Sequence, residues 1–107
     1  MRNFNDLVRQ AQELQKKLEE INNELETVRV EGVAQNIVRA VVNGKLEIVS
    51  IEILEEDLSK IDKEILQDLI FVAIREAQDK AKIVAQEKFR TLGALGGLLP
   101  NFPNGIN

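Results

Sequence analysis

Seven apolar residues, Leu7, Ala11, Leu14, Leu18, Ile21, Leu25 and Val28, recur at alternating steps of four and three. That spacing lays one narrow apolar seam along an α-helix, the a/d pattern of a coiled coil. Phe4 carries the seam one turn further towards the N-terminus, and no Gly or Pro interrupts it before Gly32. The intervening Gln, Glu and Lys are strong helix formers. The spacing predicts a helix over 4–26, about 35 Å long at 1.5 Å per residue. So narrow a seam suits one partner helix better than a broad core. Two readings stay open: a helix packed on its own domain, or a helix that projects from the body onto the last helix or a second subunit.

At Thr27 the period changes. Thr27-Val28-Arg29-Val30-Glu31 alternates with period two and predicts a strand, with Gly32 marking a bulge or bend. Ile37–Val42 and Lys45–Leu54 predict two further strands around Asn43-Gly44, which predicts a two-residue type I′ turn. In that register Val42 faces Lys45 and Val38 faces Val49. One face then collects Val38, Ala40, Val42, Val49, Ile51 and Ile53, and the other Ile37, Val41, Leu46 and Ile48. Both faces need cover, and the face or edge that the chain's own helices leave open is a candidate dimer surface. A bulge near Val49 is the alternative, and it would shift more of these residues to one side.

Glu55, Glu56 and Asp57 close the strand region. Their spacing fails the EF-hand template, and they read as solvated loop charge. Asp62 is a good N-cap for a second helix running from Lys63 to about Leu92, with Glu64 in its first turn. Ile65 to Ala77 is apolar nearly all round and predicts a buried segment lying on the sheet, whereas the charged stretch beyond Ala77 is expected to leave the body. Residues 93–107 hold four of the six glycines and both prolines, together with Leu95, Leu98, Leu99, Phe102 and Ile106. They read as a flexible tail.

The 107 residues suit a single domain, and they include no Cys or His. That excludes a disulfide framework, a thiol nucleophile, Cys-ligated zinc and the commonest proton shuttle. Few aliphatic hydroxyls occur, none with a His base, and no Gly-rich loop lies between a strand and a helix. An enzyme is not expected, nor a cofactor, a metal or a small-molecule substrate. No apolar run reaches the roughly 20 residues that span a bilayer. With no signal-peptide pattern at the start, a cytoplasmic protein without a membrane partner is expected. From pattern alone the reading stops at a small soluble α/β protein that pairs with itself.

The net charge is −4, from 14 basic and 18 acidic residues. Taken whole it argues against a polyanion partner. Its distribution says more. Residues 1–18 and 71–92 each carry a net +2, while 19–27 carry −4 and 43–70 carry −5.

The local sequence resembles the YbaB/EbfC family of bacterial nucleoid-associated proteins. Gln10-Ala11-Gln12-Glu13-Leu14-Gln15-Lys16-Lys17-Leu18 is similar to the family's first helix, Val30-Glu31-Gly32 to its strand motif and Val42-Asn43-Gly44-Lys45 to its turn. Lys63-Glu64-Ile65-Leu66-Gln67-Asp68-Leu69-Ile70 is similar to the start of its second helix, and the Gly/Leu-rich tail also fits. Where the family carries a Gly-rich stretch after its Glu-Gly, this chain has Val33-Ala34-Gln35-Asn36.

The resemblance implies an α+β fold: a long N-terminal helix, a three-stranded antiparallel sheet, a long second helix and a flexible C-terminal tail, paired as a tweezers-like homodimer. Residues 1–92 would form one dimerisation and DNA-binding domain and 93–107 the tail. It also implies nucleoid-associated binding to double-stranded DNA with low sequence specificity. The net-positive segments are those expected to project, and antiparallel packing would bring the start of the first helix near the end of the second. The residues expected to contact phosphates are Arg2, Arg9, Lys16, Lys17, Lys80, Lys82, Lys88 and Arg90. The alternative is a protein–protein interaction module using the heptad helix and the tail.

Overall fold

The structure, a computed structural model, describes residues 3–93. Arg2 and the tail from residue 94 onward lie outside the described residues. Helix α1 spans Phe4–Thr27, β1 Val30–Ala34, β2 Val38–Val42, β3 Ile48–Ile53, and α2 Lys63–Gly93, with one 3-10 turn at Leu58–Lys60 before α2. The sheet is antiparallel in the order β1-β2-β3. No helix among the described residues is long and apolar enough to cross a membrane.

Each end of α1 has a local cause. Asn3 caps its start, the side chain accepting from the Asp6 N–H at 2.9 Å. At the other end three of the four orphan carbonyls find donors outside the helical ladder. Thr27 Oγ1 donates to Glu24 (2.7 Å), the Gly44 N–H to Leu25 (2.8 Å) and Arg29 Nη1 to Glu26 (2.7 Å). The helix therefore runs through Thr27, and β1 begins three residues later than the Thr27 start expected from alternation.

Gly32 makes neither bulge nor bend. It pairs in register with Ala40, and α2 lies directly on it. A Cβ there would overlap the Ala73 carbonyl and come within 2.6 Å of the Ala77 nitrogen. Ala73, Ala77 and Ala81 form a small-residue spine on α2 that permits this approach, and all three are fully buried. With Leu69 they close on Ala34, Val38, Ala40 and Val42 to form the core. Only one face of α2 is buried, however. Ile65, Val72 and Phe71 are exposed, Phe71 at 65%, so the segment 65–77 is not the all-round buried helix expected. α2 packs on β1 and β2 along the side that carries Leu69, Ala73, Ala77 and Ala81, and a single helix can offer only one side to a sheet.

The type I′ geometry sits at a different hairpin from the one expected. Between β1 and β2, Gln35 and Asn36 have φ of 50° and 57°, and the Ile37 N–H donates to the Ala34 carbonyl at 2.9 Å. Asn43-Gly44 instead opens a longer loop. Val42 pairs with Ile48 and Val38 with Ile53, in place of Lys45 and Val49. A register shift between Val41 and Val42 leaves Val49 as the extra residue, which is the bulge alternative. It moves Ile48 onto the same face as Val42. The cause is Asn43, whose side chain accepts from the Lys45 and Glu47 N–H groups (2.9 and 3.1 Å) and donates to Glu47 Oε1 (2.7 Å). Those bonds organise a five-residue loop and leave Leu46 at φ 69°.

The acidic segment caps the 3-10 turn: Asp57 Oδ1 accepts from the Ser59 N–H at 3.1 Å and from its hydroxyl at 2.6 Å. On the sheet face away from α2, Arg39 bridges Glu31 (2.5 Å) and Glu52 (3.3 Å), tying all three strands. The hydrogen bond and charge of Glu31, with a smaller contribution from Glu52, raise the Arg39 pKa above its ordinary value.

The molecule is elongated. Its extents are 72 × 25 × 16 Å and its radius of gyration 19.8 Å, against about 13 Å for a compact chain of this size. α2 accounts for about 46 Å of that length at 1.5 Å per residue, so α1 must run on past its end.

Candidate nucleic-acid interface

The arm is built from α1 and the second half of α2. At its base Ile21 and Leu25, 6% and 3% exposed, pack beside Ala85 with Leu14 at the margin. Gly44 abuts Leu25, Lys45 Nζ lies 3.1 Å from Glu26, and Lys88 Nζ lies 3.2 Å from Glu24. The described end of α2 therefore lies beside the last third of α1, and the start of α1 is not brought to it as expected. The reason is that α2 spends its first five turns on the sheet and has only about three left for the arm.

Two of the expected contact residues, Arg9 and Lys16, sit one heptad apart on the same side of α1 and are exposed. At 100° per residue that side lies about 120–180° from Ile21 and Leu25. Neither makes an ion pair among the described residues, and both face solvent on the part of α1 that runs beyond α2. Long flexible cations are what this side of α1 offers a partner.

The other described candidates all have acidic neighbours. Lys17 pairs with Glu20 (3.4 Å), Lys82 with Asp79 (3.8 Å) and Arg90 with Glu87 (3.1 Å). Lys80 pairs with Glu76 at 3.0 Å and also donates to the Glu31 carbonyl at 3.3 Å, which turns it onto the body. Lys88 is turned inward onto Glu24. Exposed pairs of this kind are worth only about 0–1 kcal/mol each, so a phosphate can displace them. Their local charge is nonetheless balanced, and the net +2 of segment 71–92 is spread thinly. Arg75 is a cation that sequence reasoning left out of the contact set. It is exposed, has no ion pair among the described residues and stands seven residues before Lys82 on the side of α2 away from the sheet. The signal available for it was that heptad spacing.

Among the described residues no group of acidic side chains is placed to hold a metal ion, and no buried side-chain nitrogen or oxygen lacks a hydrogen-bond partner. What the surface offers is exposed cationic side chains on a projecting rod. Such a surface neutralises phosphates without reading bases.

Comparison with known proteins adds four findings. The model of the YbaB/EbfC DNA-binding family matches residues 1–97. A nucleoid-associated protein of Thermus thermophilus is 38% identical over 100 residues, covering 91% of this chain and 95% of its own. One from Dictyoglomus thermophilum is 38% identical over 107 residues, 99% of each chain. The fold is also that of a crystal structure of an uncharacterized protein from Helicobacter pylori, with a TM-score of 0.72 at 18% identity, covering 90% of this chain and 100% of that one.

Proposed function

The chain belongs to the YbaB/EbfC DNA-binding family, and on that footing we propose how it binds: as a homodimer whose projecting α1 tips grip duplex DNA by its phosphates. DNA binding of low sequence specificity follows from the family. The relatives are nucleoid-associated proteins, which supports a place on the nucleoid in the cytoplasm. Residues 1–92 act as the dimerising and DNA-binding unit.

The observation that carries the reading is the pair Arg9 and Lys16: exposed, one heptad apart, unpaired among the described residues, on the part of α1 that runs clear of the body. Arg2 is one further heptad towards the N-terminus in sequence. Lys17, Lys82 and Arg90 reinforce the field once a phosphate displaces their acidic neighbours, and Lys80 and Lys88 serve the fold first.

Dimerisation is supported by apolar surface that stands exposed among the described residues. Ile48, Val49 and Ile51 are exposed along edge strand β3, and Ile65, Phe71 and Val72 on α2. Surface of this kind calls for a partner. Titration of a mixed-sequence duplex at several salt concentrations, alongside solution mass, tests the proposal. A dimer whose affinity falls steeply with salt is expected, and a monomer or a salt-independent signal contradicts it.

A further inference from the structure

The apolar seam of α1 is used unevenly. Ile21 and Leu25 at its base are buried, whereas Leu18, Leu7 and Phe4 are exposed, the last two at 52% and 76%. The helix that covers the base stops short of the tip. Lys88 lies beside Glu24, so Gly93, five residues further along an antiparallel path, ends about 7–8 Å nearer the tip, close to residue 19 of α1. From there to Phe4 the seam runs on for about 22 Å. The sequence continues past Gly93 for 14 residues, and the last described turns of α2 point towards the tip of α1.

Those residues are suited to the seam. Residues 94–107 carry no charged side chain and include Leu95, Leu98, Leu99, Phe102 and Ile106. Fourteen residues reach about 21 Å as a helix and about 46 Å when extended, so they are long enough to lie along most or all of the open seam. Because the segment is tethered at the seam's edge, its local concentration far exceeds that of any second chain in dilute solution.

We propose that residues 94–107 dock along the tip of their own chain's α1 and cover Phe4, Leu7, Ala11 and Leu18. The docked segment completes the two-layered arm that α2 only begins. It leaves Arg9 and Lys16 on the opposite side of α1 in solvent, and it holds the tip helical where an isolated stretch of this length is marginal in water. The proposal stands independently of what the arms bind.

Amide exchange on the full chain tests it. Leu95→Asn, Leu98→Asn and Leu99→Asn together should lower protection of α1 amides between residues 7 and 14 by about tenfold or more, with the strands unchanged. Equal protection in both proteins overturns it. The chain lacks cysteine, so Leu7→Cys with Leu99→Cys, joined by a short bifunctional thiol reagent, gives a second readout. A cross-link within one chain is expected. Cross-links only between chains, or none, overturn the proposal, the first of these placing a second copy on the seam.

Discussion

Gly44 and Leu25 form the joint between arm and body: the Gly44 N–H donates to the Leu25 carbonyl at 2.8 Å, and a Cβ on Gly44 would lie 2.7 Å from Leu25 Cδ2. The glycine is required by this approach, with Leu25 Cα at 3.1 Å and its carbonyl oxygen at 3.0 Å. Gly44→Ala must push the end of α1 away from the β2–β3 loop. We expect a loss of about 1–3 kcal/mol in denaturant unfolding. A smaller separation between α1 and α2 exchange behaviour than in the parent would contradict a joint here.

Gly32 presents the stricter case, because backbone rather than side chain meets it. Ala73 and Ala77 cannot move without lifting α2 off the sheet. Gly32→Ala is expected to cost about 3 kcal/mol or more, read as a drop in thermal midpoint of well over ten degrees. A near-neutral result would show that α2 does not sit on β1 at this distance.

Gln35 pays a backbone cost that a glycine would not. At φ 50° its backbone sits in the left-handed region, which disfavours a Cβ by about 1–2 kcal/mol, partly offset by the greater entropy glycine loses on folding. Gln35→Gly should therefore stabilise the protein by about 0.5–1 kcal/mol. Thermal unfolding of the single variant measures it, and destabilisation would place the turn elsewhere.

Asn43 is buried and organises its loop through three hydrogen bonds. Asn43→Ala strands two N–H groups and should cost about 2–3 kcal/mol. Asn43→Asp keeps the acceptor and sets a second carboxylate against Glu47. Like charges raise a carboxylate's folded pKa, so the folded state takes up protons more readily and the stability of this variant relative to the parent rises as pH falls towards 4. Denaturant midpoints at pH 7 and pH 4 check the sign.

How far the sequence discloses this molecule depends on whether the determining interaction is local. The heptad seam, the Asp62 start of α2 and the order of elements are local patterns, and the structure has them. The position of the I′ turn is not local: Asn43-Gly44 has the right composition, yet Asn43 bonds Glu47 while Gly44 answers a helix carbonyl nineteen residues earlier. Gly32 likewise answers to α2, more than forty residues on. At the interface, charge counting located the net-positive segments. It did not show that Lys88 would meet Glu24 or that Lys80 would meet the Glu31 carbonyl, since both depend on how two helices cross.

The most direct measurement compares two charge reversals in a salt-dependent titration of duplex DNA. Arg9→Glu with Lys16→Glu removes two cations of the α1 tip that make no ion pair among the described residues; Lys80→Glu with Lys88→Glu removes two that are paired. With both arms of a dimer engaged, the first pair should weaken binding by two orders of magnitude or more and reduce the slope of log K against log salt by about three to four units, since each phosphate contact contributes about 0.9. The second pair should change the slope by less than about one unit. Unchanged affinity in the first variant, or equal losses in both, would contradict the claim that the tips of α1 carry the grip.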